Sequence, residues 1–329
     1  MEKKQDNLME ISDLTVRYNT DDAVVHAVNN FNLKLVRGEA RGLVGETGAG
    51  KTTLALSILR LLPERVGEVT GGPIVYDGQE LLNLPEAEML PLRGKRISMI
   101  FQDPMTSLNP TQTVGDQILE VLNLHFPEMT REEKNKRVDE MMTLVGIPPQ
   151  RKKSFPHEFS GGMKQRVVIA MALVAEPELL LADEPTTALD VTIQAQILEL
   201  MKQLREKFNT SVMLITHDLG VVAQFCDSVS VVYAGRVVEY GPVEIVFQRK
   251  ENHPYTAGLF NCIPNLHDDQ PRLHPIAGHM ADPRVEYKGC CFADRCEYAT
   301  ERCRTEAPSM HVCGEHGILC HRYAEKEEF

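Results

Sequence analysis

Apolar and polar positions alternate with a period of two over residues 9–18 (MEISDLTVRY) and again over residues 24–35. This is the mark of strands with one wet face, and the two segments are expected to form an antiparallel layer. A short apolar run at 40–44 reads as a further strand, residues 53–62 (TLALSILRLL) as a helix and 97–101 as a strand. The spacing then turns helical over 114–124 and 131–145. Thr130 and Glu133 make a capping box for the second of these helices, and Gly146 is placed to stop it. Residues from about 103 to 175 are therefore expected to be a helical insertion. A strand (179–182), a long helix (191–208), a strand (211–216), a short helix and strands at 228–233 and 236–240 follow. Strands alternating with helices predict an α/β architecture, a mixed or parallel sheet flanked by helices. From about Asn252 onward the chain is rich in Pro, His and Cys and poor in periodicity, which predicts an irregular module beyond a linker at 249–254. The chain shows no internal repeat and no low-complexity tract.

The length of 329 residues exceeds a usual single domain and predicts a large domain over about 1–250 with a small one over 251–329. Lys and Arg number 35 against 47 Asp and Glu, a formal charge of -12, which argues against nucleic acid as a partner. No apolar run approaches the ~18 residues of a membrane span. The best stretch, 167–182, is interrupted by Glu176, Pro177 and Glu178. The start, MEKKQDN, lacks the apolar centre of a signal peptide, so a soluble, cytosolic chain is expected. Six of the eight cysteines fall between Cys290 and Cys320. In a reducing compartment such clustering favours metal over disulfides.

The first candidate chemistry follows the strand at 40–44. Residues Gly45-Glu46-Thr47-Gly48-Ala49-Gly50-Lys51-Thr52 spell G-x-x-x-x-G-K-S/T, the phosphate-binding loop. Glycines let backbone N–H groups wrap a triphosphate, where a Cβ would hold the chain away. The helix that follows puts a partial positive charge beneath the phosphates. Lys51 is expected to neutralise the β- and γ-phosphates and Thr52 to offer its hydroxyl to Mg²⁺, within a nucleotide set of Gly45, Thr47, Gly48, Ala49, Gly50, Lys51, Thr52 and Thr53. The second candidate is the strand Leu179-Leu180-Leu181-Ala182-Asp183-Glu184, which ends in two acids. A carboxylate at the carboxyl end of such a strand can hold Mg²⁺, which assigns Asp183. Glu184 is then placed to polarise the water that attacks the γ-phosphate.

A third segment, Phe159-Ser160-Gly161-Gly162-Met163, is followed by Lys164-Gln165-Arg166 and a helical pattern. It is similar to the LSGGQ signature of ATP-binding-cassette (ABC) ATPases, and with the phosphate loop it makes the chain resemble the nucleotide-binding subunit of an ABC transporter. Ser160 as N-cap, two glycines and a helix dipole form a second phosphate site. In the family two domains pair head to tail, so each ATP lies between one loop and the other domain's signature. The resemblance further implies that Gln102, in IFQDP, reaches Mg²⁺ and the attacking water; that His217, in ITHD, contacts the γ-phosphate; that Asp190, ending Thr187-Ala188-Leu189-Asp190, communicates across the dimer, caps the next helix, or both; and that Tyr18 lies under adenine.

The tail narrows the resemblance, which runs from about residue 9 to 323. His253-Pro254-Tyr255-Thr256, then Gly289-Cys290-Cys291-Phe292-Ala293-Asp294-Arg295-Cys296, Cys303 and Cys320-His321 are similar to the end of oligopeptide/dipeptide transporter ATPases. Cys290, Cys296, Cys303 and Cys320 match that subfamily's motif with spacing C-x5-C-x6-C-x16-C. Four thiolates suit Zn²⁺ or a 4Fe–4S cluster, and the absence of close C-x2-4-C pairs favours the cluster, with zinc as the alternative and His316 and His321 nearby. Its expected role is to staple a segment too poor in apolar periodicity to fold alone. Cys291 and Cys313 stay unassigned. The resemblance implies an ATPase driving uptake of peptides or similar small solutes, with nickel, glutathione and sugars as open alternatives. It implies as partners a second ABC ATPase subunit, paralogous to this one, two transmembrane permease subunits and an extracytoplasmic binding protein, at the cytoplasmic face of the membrane. The competing classes are a soluble ABC ATPase acting mechanically on nucleic acid or translation, and a redox or metal regulator built on the tail.

Overall fold

A computed structural model describes residues 6–187, 189–248, 251–262 and 275–324. In chain order the elements are β1 (Asn7–Asn19), β2 (Val24–Val36), β3 (Ala40–Val44), α1 (Lys51–Ile58), β4 (Gly67–Gly71), β5 (Ile74–Tyr76), β6 (Gln79–Glu80), α2 (Glu86–Met89), β7 (Ile97–Ile100), α3 (Pro104–Ser107), α4 (Val114–His125) and α5 (Arg131–Leu144). Then come α6 (Gly161–Leu173), β8 (Leu179–Asp183), α7 (Val191–Phe208), β9 (Ser211–Thr216), α8 (Leu219–Phe225), β10 (Ser228–Tyr233), β11 (Arg236–Pro242), α9 (Val243–Gln248), α10 (Pro254–Asn261), α11 (Glu301–Thr305), β12 (Met310–Cys313) and β13 (His316–Leu319). These fall into two compact units. One holds residues 6–8, 35–40 and 83–215, the other residues 9–34, 41–82 and the described chain from Thr216.

The first unit carries β7, β8 and β9 in parallel, with Ile97 opposite Leu179 and Asp183 opposite Ile215. Every residue of β8 is buried. A strand covered on both faces is apolar without alternation, which is why LLLA could be recognised as a strand. Between β7 and β8 the chain is helical. Thr113 caps α4 by accepting the Asp116 N–H. The capping box of α5 forms as expected: the Thr130 hydroxyl accepts from the Glu133 N–H, and the Glu133 carboxylate accepts from the Thr130 N–H at 2.7 Å. Gly146, at φ 74°, takes the left-handed turn after this helix.

The second unit holds a sheet in the order β2-β1-β5-β6, with β4 also antiparallel to β1. β4 to β6 are only five, three and two residues long, and no periodicity announces them. In the same unit β3 runs parallel to β10, β10 antiparallel to β11, and β11 antiparallel to β13. Helix α1 starts at Lys51 instead of residue 53 and ends at Ile58 instead of 62, because Arg60 turns left-handed at φ 53° and breaks the ladder. The tail, expected to be irregular, contains the hairpin β12–β13, whose second strand pairs Gly317 with Tyr240. A Cβ on Gly317 would lie 2.3 Å from the Tyr240 ring, so only glycine admits this pairing. Polar bonds lock the hairpin down. The carboxylate of Glu239, fully buried, bonds His316 Nε2 at 2.7 Å, accepts from Asn252 Nδ2 at 3.0 Å and accepts the His253 backbone N–H at 2.9 Å. Burial pushes the imidazole of His253 down to about 4, so it stays neutral at physiological pH.

Candidate functional site

The phosphate loop leaves β3 in the second unit. Its outer glycines are fixed by close approach: a Cβ on Gly45 would lie 2.1 Å from the Val232 carbonyl oxygen, and one on Gly50 2.2 Å from that of Ala27. Gly50 is also the left-handed N-cap of α1, at φ 96°. At Gly48 (φ 84°) a Cβ would meet nothing within 4 Å, so this glycine marks the open side of the loop. Thr47, Gly48 and Thr52 are exposed there, while Ala49 is buried and its carbonyl accepts from the Gly235 N–H at 3.0 Å. The Lys51 side chain is buried over the loop, with Nζ donating to the carbonyls of Gly45 (2.6 Å) and Glu46 (2.9 Å). Tyr18 ends beside this helix, its hydroxyl donating to Thr53 Oγ1 at 3.2 Å. His217 is exposed just after β9, and the following Asp218 caps α8 through the N–H groups of Gly220 and Val221.

In the first unit β8 ends at Asp183, only 3% exposed, and Glu184 follows at φ 46°, a left-handed conformation uncommon for a side chain of this size. Its N–H donates to the Ile215 carbonyl at 2.8 Å. Gln102 Nε2 donates to Glu184 Oε2 at 3.1 Å, so two residues 82 apart in sequence are brought together. The Thr187 hydroxyl donates to the same oxygen at 2.9 Å. Thr187 held no place among the expected site residues, and its offset of three from Glu184 was the one available signal. Two side-chain donors thus fix the direction in which this carboxylate points, as a proton acceptor requires. Ser160 and Gly161 are exposed at the start of α6. Ser160 occupies the N-cap position, yet its side chain makes no capping bond, so the hydroxyl is not consumed by the helix. Phe159 is buried with the Arg151 guanidinium 4.2 Å above its ring, and Arg151 also donates to the sulfur of Met163, which accounts for these two departures from Leu and Gln. Asp190 caps α7, accepting from the Ile193 N–H at 3.0 Å. Ala188 lies outside the described residues.

Cys290, Cys296, Cys303 and Cys320 line one small cavity in the second unit. Burial, with the neighbouring sulfurs, pushes the Cys290 thiol up to about 12 and raises those of Cys296 and Cys320. Among the described residues no group of three or more His, Cys, Asp or Glu stands at a spacing that would hold a metal ion. Cys291 turns away from the cavity, its thiol donating to the Tyr233 carbonyl at 3.9 Å, and Cys313 ends β12. No described helix is long and apolar enough to cross a membrane.

Compared with known families, residues 28–187 match the ABC transporter model and residues 238–303 the C-terminal region of oligopeptide/dipeptide transporters. The oligopeptide transport ATP-binding protein OppD of Haemophilus influenzae is 47% identical over 326 residues, covering 98% of both chains. The chain belongs to the ABC transporter ATPase family. The Escherichia coli OppD is 48% identical over 309 residues, covering 93% of this chain and 90% of its own. Among solved structures, an ATP-binding cassette in a dimeric post-hydrolysis state bound to ADP and Pi aligns with a TM-score of 0.64 at 28% identity, over 71% of this ABC ATPase and 98% of that chain. The structure of cbiO1 from Clostridium perfringens, part of the ABC transporter complex cbiONQ, gives 0.65 at 30% identity, over 75% and 93%. The α/β cassette fold is common to all of them.

Proposed function

We propose that this chain is the ATP-binding and ATP-hydrolysing subunit of an ABC importer that powers uptake of di- or oligopeptides, seated peripherally on the cytoplasmic face of the membrane. What carries this reading is one continuous similarity: relatives named for oligopeptide transport match it across both the cassette and the Cys-rich end. Two permease subunits and an extracytoplasmic binding protein complete the importer, and a paralogous ATPase is the proposed partner for this one. Residues of about 1–250 act as the ATPase domain, about 103–175 as its helical subdomain, and 251–329 as the C-terminal domain.

In this reading Gly45, Thr47, Gly48, Ala49, Gly50, Lys51, Thr52 and Thr53 hold the triphosphate, and Tyr18 lies under adenine. The open face at Gly48 and the fixed glycines on either side support a phosphate cradle. Thr52, Gln102 and Asp183 would hold Mg²⁺, which neutralises phosphate charge when bound with ATP. The Glu184 carboxylate takes a proton from the attacking water as the bond from the γ-phosphorus to ADP breaks; Gln102 and Thr187 hold that carboxylate, and His217 contacts the γ-phosphate. Ser160, Gly161, Gly162 and Asp190 serve the partner's nucleotide. Cys290, Cys296, Cys303 and Cys320 would hold a 4Fe–4S cluster, with zinc as the alternative; the observation that supports the set is that all four line one cavity. Such a cluster would supply a structural cross-link.

The test is uptake of a labelled oligopeptide by cells in which this chain is replaced by Lys51→Ala. Uptake should vanish with the protein still present. Unchanged peptide uptake, with loss of nickel or glutathione uptake instead, would overturn the substrate class. Iron and acid-labile sulfide are counted on anaerobically purified protein, and a preparation without either removes the cluster.

A further inference from the structure

Glu46, the second residue of the phosphate loop, belongs to neither the glycine set nor the Lys-Thr pair, yet its polar groups are held from the C-terminal region. Its carboxylate accepts two N–H groups of Arg295, Nη1 at 2.7 Å and Nη2 at 3.2 Å. Its backbone N–H donates to the hydroxyl oxygen of Tyr255 at 2.9 Å. Its carbonyl is one of the two that receive the Lys51 ammonium. The Arg295 side chain is 5% exposed, against 28% for Glu46. Arg295 is itself aimed by a bond from Nε to the Ala277 carbonyl (3.0 Å) and by the rings of Tyr233 and Phe292, whose centroids lie 5.8 and 5.9 Å from its guanidinium carbon. Tyr255 is fully buried and packs on the same two rings.

A two-pronged guanidinium grip fixes both distance and plane, which a single ammonium does not. Fixing the side chain and the N–H of one loop residue fixes its peptide planes, and hence the carbonyl that sets the Lys51 ammonium. We propose that Arg295 and Tyr255 are positioning residues for ATP binding: through Glu46 they hold the phosphate loop in the shape that receives the triphosphate. The proposal rests on the reading of residues 45–52 as that loop. It makes the C-terminal region part of the nucleotide site, since Arg295 sits in the turn between Cys290 and Cys296.

The measurement uses the full chain, with ATP affinity from titration with Mg-ATP, ATPase kinetics in the assembled transporter, and melting without nucleotide. Glu46→Gln and Arg295→Gln should each weaken ATP binding about tenfold, and the double variant no more than either single one, as expected of groups that act as a pair. KM should rise while kcat at saturating ATP stays within about threefold, because a ground-state grip is lost and the chemistry is not. Tyr255→Phe keeps the ring packing and removes only the acceptor; it should raise KM in the same direction without lowering the nucleotide-free melting temperature. Lys51→Ala serves as the reference. Should Lys51→Ala abolish binding while Glu46→Gln and Tyr255→Phe bind ATP within twofold of the parent, the positioning role is overturned and the loop stands. Should Lys51→Ala bind ATP normally, loop and positioning role fall together.

Discussion

Gly48 and Gly50 both carry positive φ, but their surroundings give them different duties. A methyl on Gly50 would have to displace the Ala27 carbonyl from 2.2 Å while holding φ 96°. Strain and overpacking together amount to about 2–6 kcal/mol. Gly50→Ala is therefore expected to lower the nucleotide-free melting temperature and abolish ATP binding. At Gly48 the methyl meets nothing, so only the left-handed penalty of about 1–2 kcal/mol applies. Gly48→Ala should stay folded yet bind ATP more weakly, and a pair of melting curves with a nucleotide titration separates the two cases. Glu184→Gln tests the other pole of the site. The amide keeps the size and an oxygen for Thr187 but accepts no proton from water, so turnover should fall by about 10²–10⁴-fold while ATP affinity stays within about twofold. Survival of turnover in a phosphate-release assay would move the proton acceptor elsewhere.

At the scale of elements, α5 stands on its capping box. Thr130→Ala removes the hydroxyl that receives the Glu133 N–H and should cost about 1 kcal/mol, some 2–4 °C in melting temperature. The Glu133 carboxyl is held below its ordinary value, first by the Thr130 backbone N–H and then by the Thr130 hydroxyl. A depressed folded value means that its contribution is complete above the unfolded value of 4.5 and is lost as pH falls through the folded one. The gap between parent and variant should thus be full at neutral pH and shrink in acid; a constant gap down to about pH 3 would show the carboxyl to be idle. That box was legible because both partners lie within one turn of sequence, and β8 was legible because burial on both faces leaves an unbroken apolar run. β4 to β6 and the β12–β13 hairpin were not, since strands of two to five residues carry too few positions to set a period. The site divides the same way. Loop, signature and Glu184 follow local patterns, whereas the grip of Arg295 on Glu46 joins residues 249 apart and has no local trace.

For the whole assembly one question is decisive: does the signature of this chain serve its own phosphate loop or its partner's? Gly48 and Thr52 are exposed on the loop, and Ser160 and Gly161 are exposed at the start of a 13-residue helix whose N-cap hydroxyl is uncommitted. Both features are open to solvent, which suits closure by a second molecule. Take the complex with the proposed paralogous ATPase, which can trap two nucleotides. Lys51→Ala in this chain removes the nucleotide on its own loop. Ser160→Arg puts a bulky side chain where the hydroxyl stood and should remove the nucleotide on the partner's loop. Each single change should therefore halve the trapped ATP, and the two combined in this one chain should leave almost none. If the signature served its own loop, both changes would strike the same nucleotide and the combination would still trap half. Counting bound nucleotide after rapid desalting, with Glu184 of this chain and its counterpart in the partner both replaced to prevent turnover, tells the two arrangements apart without any measurement of transport.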